Sequence, residues 1–251
     1  MKPHFTLVVL VPCFNESKRL HLDTWSCYIT AHPAFLFIFI DDGSSDQTQH
    51  VLQTLAANHQ NIRVLHNRHN EGKASAVRSG MLYAAEACVF DAAGFIDADL
   101  SCPLSELDRF TAILNTNAAI DMVIGSRVQM LGKNINRNIF RHYIGRVIAT
   151  FICKILDEPV YDTQCGLKLF RNNIASELMQ EPFSSKWLFD VEILARYKIK
   201  YGSLKFKKRL LEIPVTEWKE MENSKLKFYQ IFAIIYELIK INRTYFLSKT
   251  S

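Results

Sequence analysis

The sequence predicts an α/β fold with a mostly parallel central sheet and helices on both of its faces. Three observations carry this reading. Short apolar runs alternate with helical patterns through the first half of the chain. Those runs are apolar throughout rather than on alternate residues, as strands covered on both sides must be. Polar clusters then follow their carboxyl ends: Asn15-Glu16, Asp41-Asp42, Asn70 to Lys73, Asp97-Asp99 and Ser126-Arg127. Open parallel sheets hold their ligands at those ends, so the recurrence argues for a single site.

The first strand expected is TLVVLVP (6–12), followed by a helix from about Ser17 to Thr30. FLFIFIDD (35–42) is the second strand, and the helix after it takes Ser44 or Ser45 near its N-cap. IRVLHN (62–67) is a third strand, leading to a helix from about Lys73 to Ala87. AAGFIDAD (92–99) is a fourth; the next helix (103–115) starts with proline at or near its first position. AIDMVIGSR (119–127) is a fifth strand. The second half carries an apolar stretch at 143–156, a strand-like alternation over 204–218 with lysines on one face, and a tail of helical periodicity. Two units are expected: residues 1–225 as the main α/β domain, and 226–251 as a C-terminal amphipathic helix.

Composition narrows the class. With 251 residues, 49% hydrophobic and 22% charged, the chain suits a soluble globular protein, long enough for one large α/β domain or two small ones. A formal net charge of +5 is too weak to imply nucleic acid, though it suits a protein that meets phosphates or an anionic membrane. Six cysteines without a C-x-x-C pair argue against a disulfide framework or a zinc site and for reduced thiols. The N-terminus reads as a strand, not a signal peptide. The longest apolar run, AFLFIFI, falls well short of the roughly 18 residues a membrane span needs.

Asp97 and Asp99 are the sharpest feature. On an extended segment residues i and i+2 face one side, so both carboxylates can converge on a point. A divalent cation such as magnesium or manganese would relieve their repulsion, taking one or two carboxylates and filling its shell with diphosphate oxygens and water. The same pair could equally cap the helix that follows. Asp41 and Asp42 are more than one cap needs, so at least one is expected to face a ligand, a base or ribose suiting it. Lys73 after Gly72 resembles part of a phosphate loop, but the full G-x-x-x-x-G-K-[ST] pattern is absent, and a solvated first-turn lysine fits as well. Arg127 ends a buried strand, where an unpaired guanidinium would be costly, so it requires a partner, and phosphate matches its fork.

In order, VVLVPCFNESKRL, IFIDDGSSDQT, NEGKASAVRSGM, FIDADLSCPLSEL, VIGSR and YDTQCGLKLF resemble the segments of family 2 glycosyltransferases with the GT-A fold. DTQCGLKLF, KWLFDVEILAR and EIPVTEW followed by SKLK are similar to the polyprenyl-phosphate branch of that family: dolichyl-phosphate glucose and mannose synthases and bacterial relatives. The resemblance implies that Pro12, Asn15 and Glu16 embrace the nucleotide, and that Asp42 contacts the base with Asp41 alongside. It sets Lys73 near the nucleotide and makes Asp97 and Asp99 the D-x-D holding Mg2+ or Mn2+ on the donor diphosphate. Arg127 and Arg141 match arginines near the donor and acceptor phosphates. Asp162, Gln164 and Lys168 line the acceptor side, and Trp187, Asp190 and Glu192 close over the donor sugar. Ser101 stands where mannose synthases often carry a further metal ligand, glutamine.

The implied reaction moves a hexose, with glucose from UDP-glucose preferred, onto a polyprenyl (dolichyl or undecaprenyl) phosphate with inversion. Asp162, Asp190 and Glu192 are the candidates should a general base be needed. A lipid acceptor implies a cytoplasmic protein peripheral at the cytosolic face of a membrane, held by its own tail or by a separate membrane partner. Contact candidates are 143–156, the basic run 198–209 and the tail. Two rivals remain at this level: a family 2 transferase acting on a sugar hydroxyl, and a non-catalytic nucleotide-sugar binding module.

Overall fold

The computed structural model describes residues 1–132, 134–136, 139–219 and 228–247, with side chains left aside at 136, 139–142 and 228–231. Its centre is a seven-stranded sheet in the order β3-β2-β1-β4-β7-β5-β8. The strands are β1 (His4–Cys13), β2 (Phe35–Asp41), β3 (Ile62–His66), β4 (Val89–Phe95), β5 (Met122–Ser126), β7 (Lys168–Arg171) and β8 (Leu210–Pro214). Six run parallel; β7 alone is antiparallel to its neighbours β4 and β5. A second, two-stranded sheet pairs β6 (Asn134–Asn136) with β9 (Glu217–Lys219).

Helices cover both faces, which is why the inner strands are apolar throughout; every residue of β2 is buried. One face carries α1 (Leu22–Ala31), α2 (Thr48–Ala57) and α4 (Ser105–Thr116), whose Trp25, Ile29, Leu52, Leu107 and Phe110 pack on Leu7, Val9, Phe37 and Phe39. The other carries α3 (Lys73–Ala87), α5 (Ile139–Leu156), α6 (Asn172–Leu178), α7 (Phe189–Arg209) and α8 (Phe228–Asn242). They bury Val77, Met81, Ile152, Ile193 and Leu238 against Val8, Leu10, Ile38 and Phe95. A short π-helical turn (Arg243–Leu247) follows α8.

Local chemistry shifts several expected boundaries. The first helix begins at Leu22, because Asn15 to Leu20 form a loop whose amides are claimed by Ser44, Thr48 and Asp46. The second begins at Thr48; Asp46, rather than Ser44 or Ser45, accepts its first free N–H at 3.0 Å. Strand β4 stops at Phe95, and the following helix starts at Ser105. The alternation over 204–218 is a strand only from Leu210. Residues 204–209 complete α7, which breaks at Gly202, where φ is 82° and a side chain would strain the backbone. The basic run therefore precedes the amino end of β8, at the opposite end of the sheet from Asp97. The tail is helical and docked, with Ile234, Leu238 and Ile241 buried. The expected domain boundary at 225/226 lies outside the described residues. No described helix is long and apolar enough to cross a membrane.

Candidate active site

Two cavities adjoin at the carboxyl ends of the strands, and Asp97 and Asp99 line both. The segment that carries them is held from three sides. The Ile96 N–H donates to Leu10 O at 3.1 Å, continuing the β1–β4 ladder by one residue. The indole N–H of Trp25, itself fully buried, donates to Ala98 O at 3.3 Å. The Ser101 N–H donates to Asp99 Oδ1 at 3.0 Å across Leu100, whose φ is 55°. Ser101 is buried on the wall beside them. From β7's approach, Gly166 lies so close that a Cβ there would fall 1.9 Å from Asp97 Oδ2, so the carboxylate rests on bare backbone.

The smaller cavity, about 280 Å³, is walled by Pro12, Phe14, Glu16, Asp42, Asn70 and Lys73. Asp42 accepts from Asn67 Nδ2 (2.8 Å) and from the N–H groups of Glu71 (3.1 Å) and Gly72 (2.7 Å), so it shapes the loop before α3. Lys73 reaches Asp97 Oδ1 at 2.5 Å over the rings of Phe95 and Phe189. Burial would lower its pKa, but Asp97, Asp190 and Asp99 together hold it above the ordinary value. Glu16 pairs with Arg19 at 2.6 Å. Burial, then the charges of Asp99 and Asp97, raise its pKa to about 7 against the opposing pull of Arg19.

The larger cavity, about 370 Å³, is lined by two chemically distinct sets of side chains. One is cationic. Arg127 binds Asp162 bidentately (Nε–Oδ2 2.7 Å, Nη2–Oδ1 2.8 Å) and lies over Trp218. Burial opposes its charge, yet Asp162 raises its pKa further. Arg146 stacks on Tyr161 at 3.9 Å and donates to that residue's carbonyl. Arg19 and Gln164 complete this part. The other set is apolar: Ile144, Ile148 and Ile152 of α5, Ile234 of α8, and Leu188 with half-exposed Trp187.

Of the residues nominated from sequence, Pro12, Glu16, Asp42, Lys73, Asp97, Asp99, Arg127, Asp162, Gln164 and Trp187 line these cavities. Four do not. Asn15 and Asp41 brace the loops behind the wall. Asn15 Oδ1 accepts from the Ser45 N–H at 2.9 Å, and fully buried Asp41 takes the Ser44 N–H and the His66 ring. Lys168 and Asp190 form a buried ion pair, with the ammonium also donating to Cys165 O at 2.8 Å. Burial drives them onto each other. Glu192 is likewise consumed, by the amides of Ser184 and Ser185, by Arg196 and by the Tyr245 hydroxyl. The Arg141 side chain lies outside the described residues. Sequence reading assigned no role to Trp218, Tyr161, Arg19 or Arg146.

Among the described residues no cluster of three or more histidine, cysteine or acidic side chains could enclose a metal. Two half-exposed carboxylates at a junction fit a cation that draws the rest of its shell from a ligand and water.

The chain matches the description Glycosyl transferase family 2 over residues 8–179. It is 29% identical over 244 residues to a dolichyl-phosphate beta-glucosyltransferase of Trichomonas vaginalis (strain ATCC PRA-98 / G3), covering 92% of this chain and 69% of that protein. To the dolichyl-phosphate beta-glucosyltransferase of Homo sapiens it is 31% identical over 242 residues, covering 89% and 70%. Glucosyl-3-phosphoglycerate synthase from Mycobacterium tuberculosis, solved with uridine-diphosphate, superposes with a TM-score of 0.68 at 16% identity, over 96% of this chain and 79% of that one. That enzyme has also been solved with Mn2+, UDP-glucose and phosphoglyceric acid. The structural likeness makes the fold GT-A-like, and the match across most of the sheet makes the chain a member of glycosyl transferase family 2.

Proposed function

We propose that the chain is an inverting glucosyltransferase that moves glucose from UDP-glucose to a polyprenyl phosphate of the dolichyl type. The observation that carries this reading is the lining of the larger cavity: Arg19, Arg127 and Arg146 share it with Asp97 and Asp99 and with isoleucines of α5 and α8. A phosphate joined to hydrocarbon matches that combination; a sugar hydroxyl acceptor would leave the isoleucines without a partner. The relatives named dolichyl-phosphate beta-glucosyltransferases support the same acceptor and sugar.

The chemistry follows from charge. As the glycosidic bond breaks, the anomeric carbon becomes positive and the departing diphosphate gains negative charge. Asp97 and Asp99 would hold Mg2+ or Mn2+, which when bound supplies Lewis-acid stabilisation of that diphosphate. Lys73 stands beside Asp97 with an ammonium held in its charged form, ready to exchange the carboxylate for a phosphate oxygen. Arg127 and Arg146 orient the acceptor phosphate. That group is ionised near neutral pH and needs no general base. Accordingly, Asp162, Asp190 and Glu192, the carboxylates nominated for that role, are engaged by Arg127, Lys168, and Arg196 with Tyr245.

The outer faces of α5 and α8 suit a membrane surface. Tyr143, Val147 and Phe151 are exposed at helical spacing on one, and Phe232, Ile235, Tyr236 and Ile239 on the other. The testing experiment is a donor panel. Purified protein with Mn2+ and dolichyl phosphate is given radiolabelled UDP- or GDP-hexoses, and labelled glycolipid is expected from UDP-glucose. Tight nucleotide binding without transfer to any acceptor would instead indicate a binding module.

A further inference from the structure

Glu237, in the middle of α8, is a buried carboxylate that the transfer chemistry does not use. It accepts hydrogen bonds from the Ser185 hydroxyl (2.5 Å) and from the backbone N–H groups of Lys186 (3.1 Å), Trp187 (2.9 Å) and Leu188 (3.0 Å). These amides lie immediately before α7, where N–H groups have no carbonyl of their own helix to meet. A residue some 50 positions away supplies the acceptor. One turn further along α8, Lys240 donates to Ser184 O at 2.7 Å, so the turn is pinned from the tail at two points. The same turn presents Trp187 and Leu188 to the larger cavity, and α8 adds Ile234 to that wall.

We infer that Glu237 is a positioning residue for glycosyl transfer: it fixes the Ser185–Leu188 turn so that Trp187 and Leu188 wall the larger cavity, where the acceptor is proposed to bind, making α8 part of the active site. The inference rests on the proposed acceptor reading. The smaller cavity, with Pro12, Asp42 and Lys73, shares only Asp97 and Asp99 with the larger one and is not lined by this turn. Loss of Glu237 therefore acts on the larger cavity and spares nucleotide binding.

The test is Glu237→Gln, which keeps the side-chain shape but replaces one acceptor oxygen with a donor that faces N–H groups. Amide hydrogen exchange at residues 186–188 is expected to quicken at least about tenfold. The kcat/KM for polyprenyl phosphate should fall by about 10- to 100-fold, with the Kd for UDP unchanged within about twofold. Should that variant fail to fold, Ser185→Ala removes one of the four donors, together with the hydroxyl that accepts the Leu188 N–H at 2.8 Å, and should give the same pattern at about three- to fivefold. Faster exchange with unchanged kcat/KM would overturn the inference, as would a loss of UDP affinity parallel to the loss of turnover. Wild-type protein that transfers nothing to polyprenyl phosphate would overturn the acceptor reading instead. The kcat/KM comparison would then be made on the acceptor the wild type does use, with the same two outcomes deciding on Glu237.

Discussion

At the residue scale the site turns on two carboxylates and the cations that answer them. Asp99 is anchored by the Ser101 amide and lines both cavities, so Asp99→Ala removes a ligand-facing charge without emptying a core position. Transfer should fall by at least about a thousandfold, and Mn2+ should no longer tighten UDP binding, with thermal stability nearly unchanged. Calorimetric titration of UDP with and without Mn2+ checks this; undiminished metal dependence would remove Asp99 from the metal site. Glu16 gives a pH signature. Its pKa is raised in the folded chain from an ordinary 4.5 to about 7 by burial and by Asp99 and Asp97. A raised carboxylate favours the fold below the unfolded value and loses that contribution as pH climbs through the folded one. Without metal or nucleotide, this group should cost up to about 3 kcal/mol of unfolding free energy between pH 4.5 and 7. Urea melts across that range should show the decline, and Glu16→Gln should flatten it.

At the scale of elements, the strands and their polar ends were legible because both signals are local. Five apolar runs and the clusters after them are read from adjacent residues, and β1 to β5 form where those runs lie. The antiparallel insertion of β7 between β4 and β5 was not legible, since its pairing joins Phe95 to Lys168 and Val123 to Leu169 across long stretches of chain. The same reason hid the fate of Lys168 and Asp190. As sequence they are two charged residues in segments assigned to ligands; in the fold they neutralise each other under Phe95. Asp190→Asn leaves a buried ammonium without its counter-charge and should cost about 3–5 kcal/mol. Denaturant unfolding measures it, and an unchanged midpoint would return Asp190 to the list of ligand-facing groups. Trp218 stands in the EIPVTEW segment, but its place under Arg127 is set by the β6–β9 pairing, which adjacent residues do not show. Glu237 left a trace as a charge interrupting the apolar tail, but its partners sit about 50 residues away.

At the scale of the whole molecule, one end of the sheet gathers the groups the proposed reaction needs. The two cavities there share Asp97 and Asp99, and the larger one adds the arginines, and apolar residues of α5 and α8. Those two helices turn apolar side chains both inward, to Ile148 and Ile234, and outward, to Phe151 and Phe232. The basic run of α7, by contrast, sits at the far end of the sheet. Attachment should therefore follow the α5–α8 face: Phe232→Ser with Tyr236→Ser should weaken binding to anionic vesicles by about tenfold or more, leaving turnover on a short-chain polyprenyl phosphate in solution unchanged. Vesicle co-sedimentation decides it; equal binding by the variant would move the contact elsewhere.

The most direct test of the account is a competition for acceptor. Wild-type protein, Mn2+ and UDP-glucose are incubated with equimolar dolichyl phosphate and a panel of sugar acceptors, and the glucosylated products are identified by mass spectrometry. The account predicts glucosyl phosphoryl polyprenol as the dominant product, formed with inversion at the anomeric carbon. Glucose recovered on sugar hydroxyls, with the polyprenyl phosphate untouched, would contradict it.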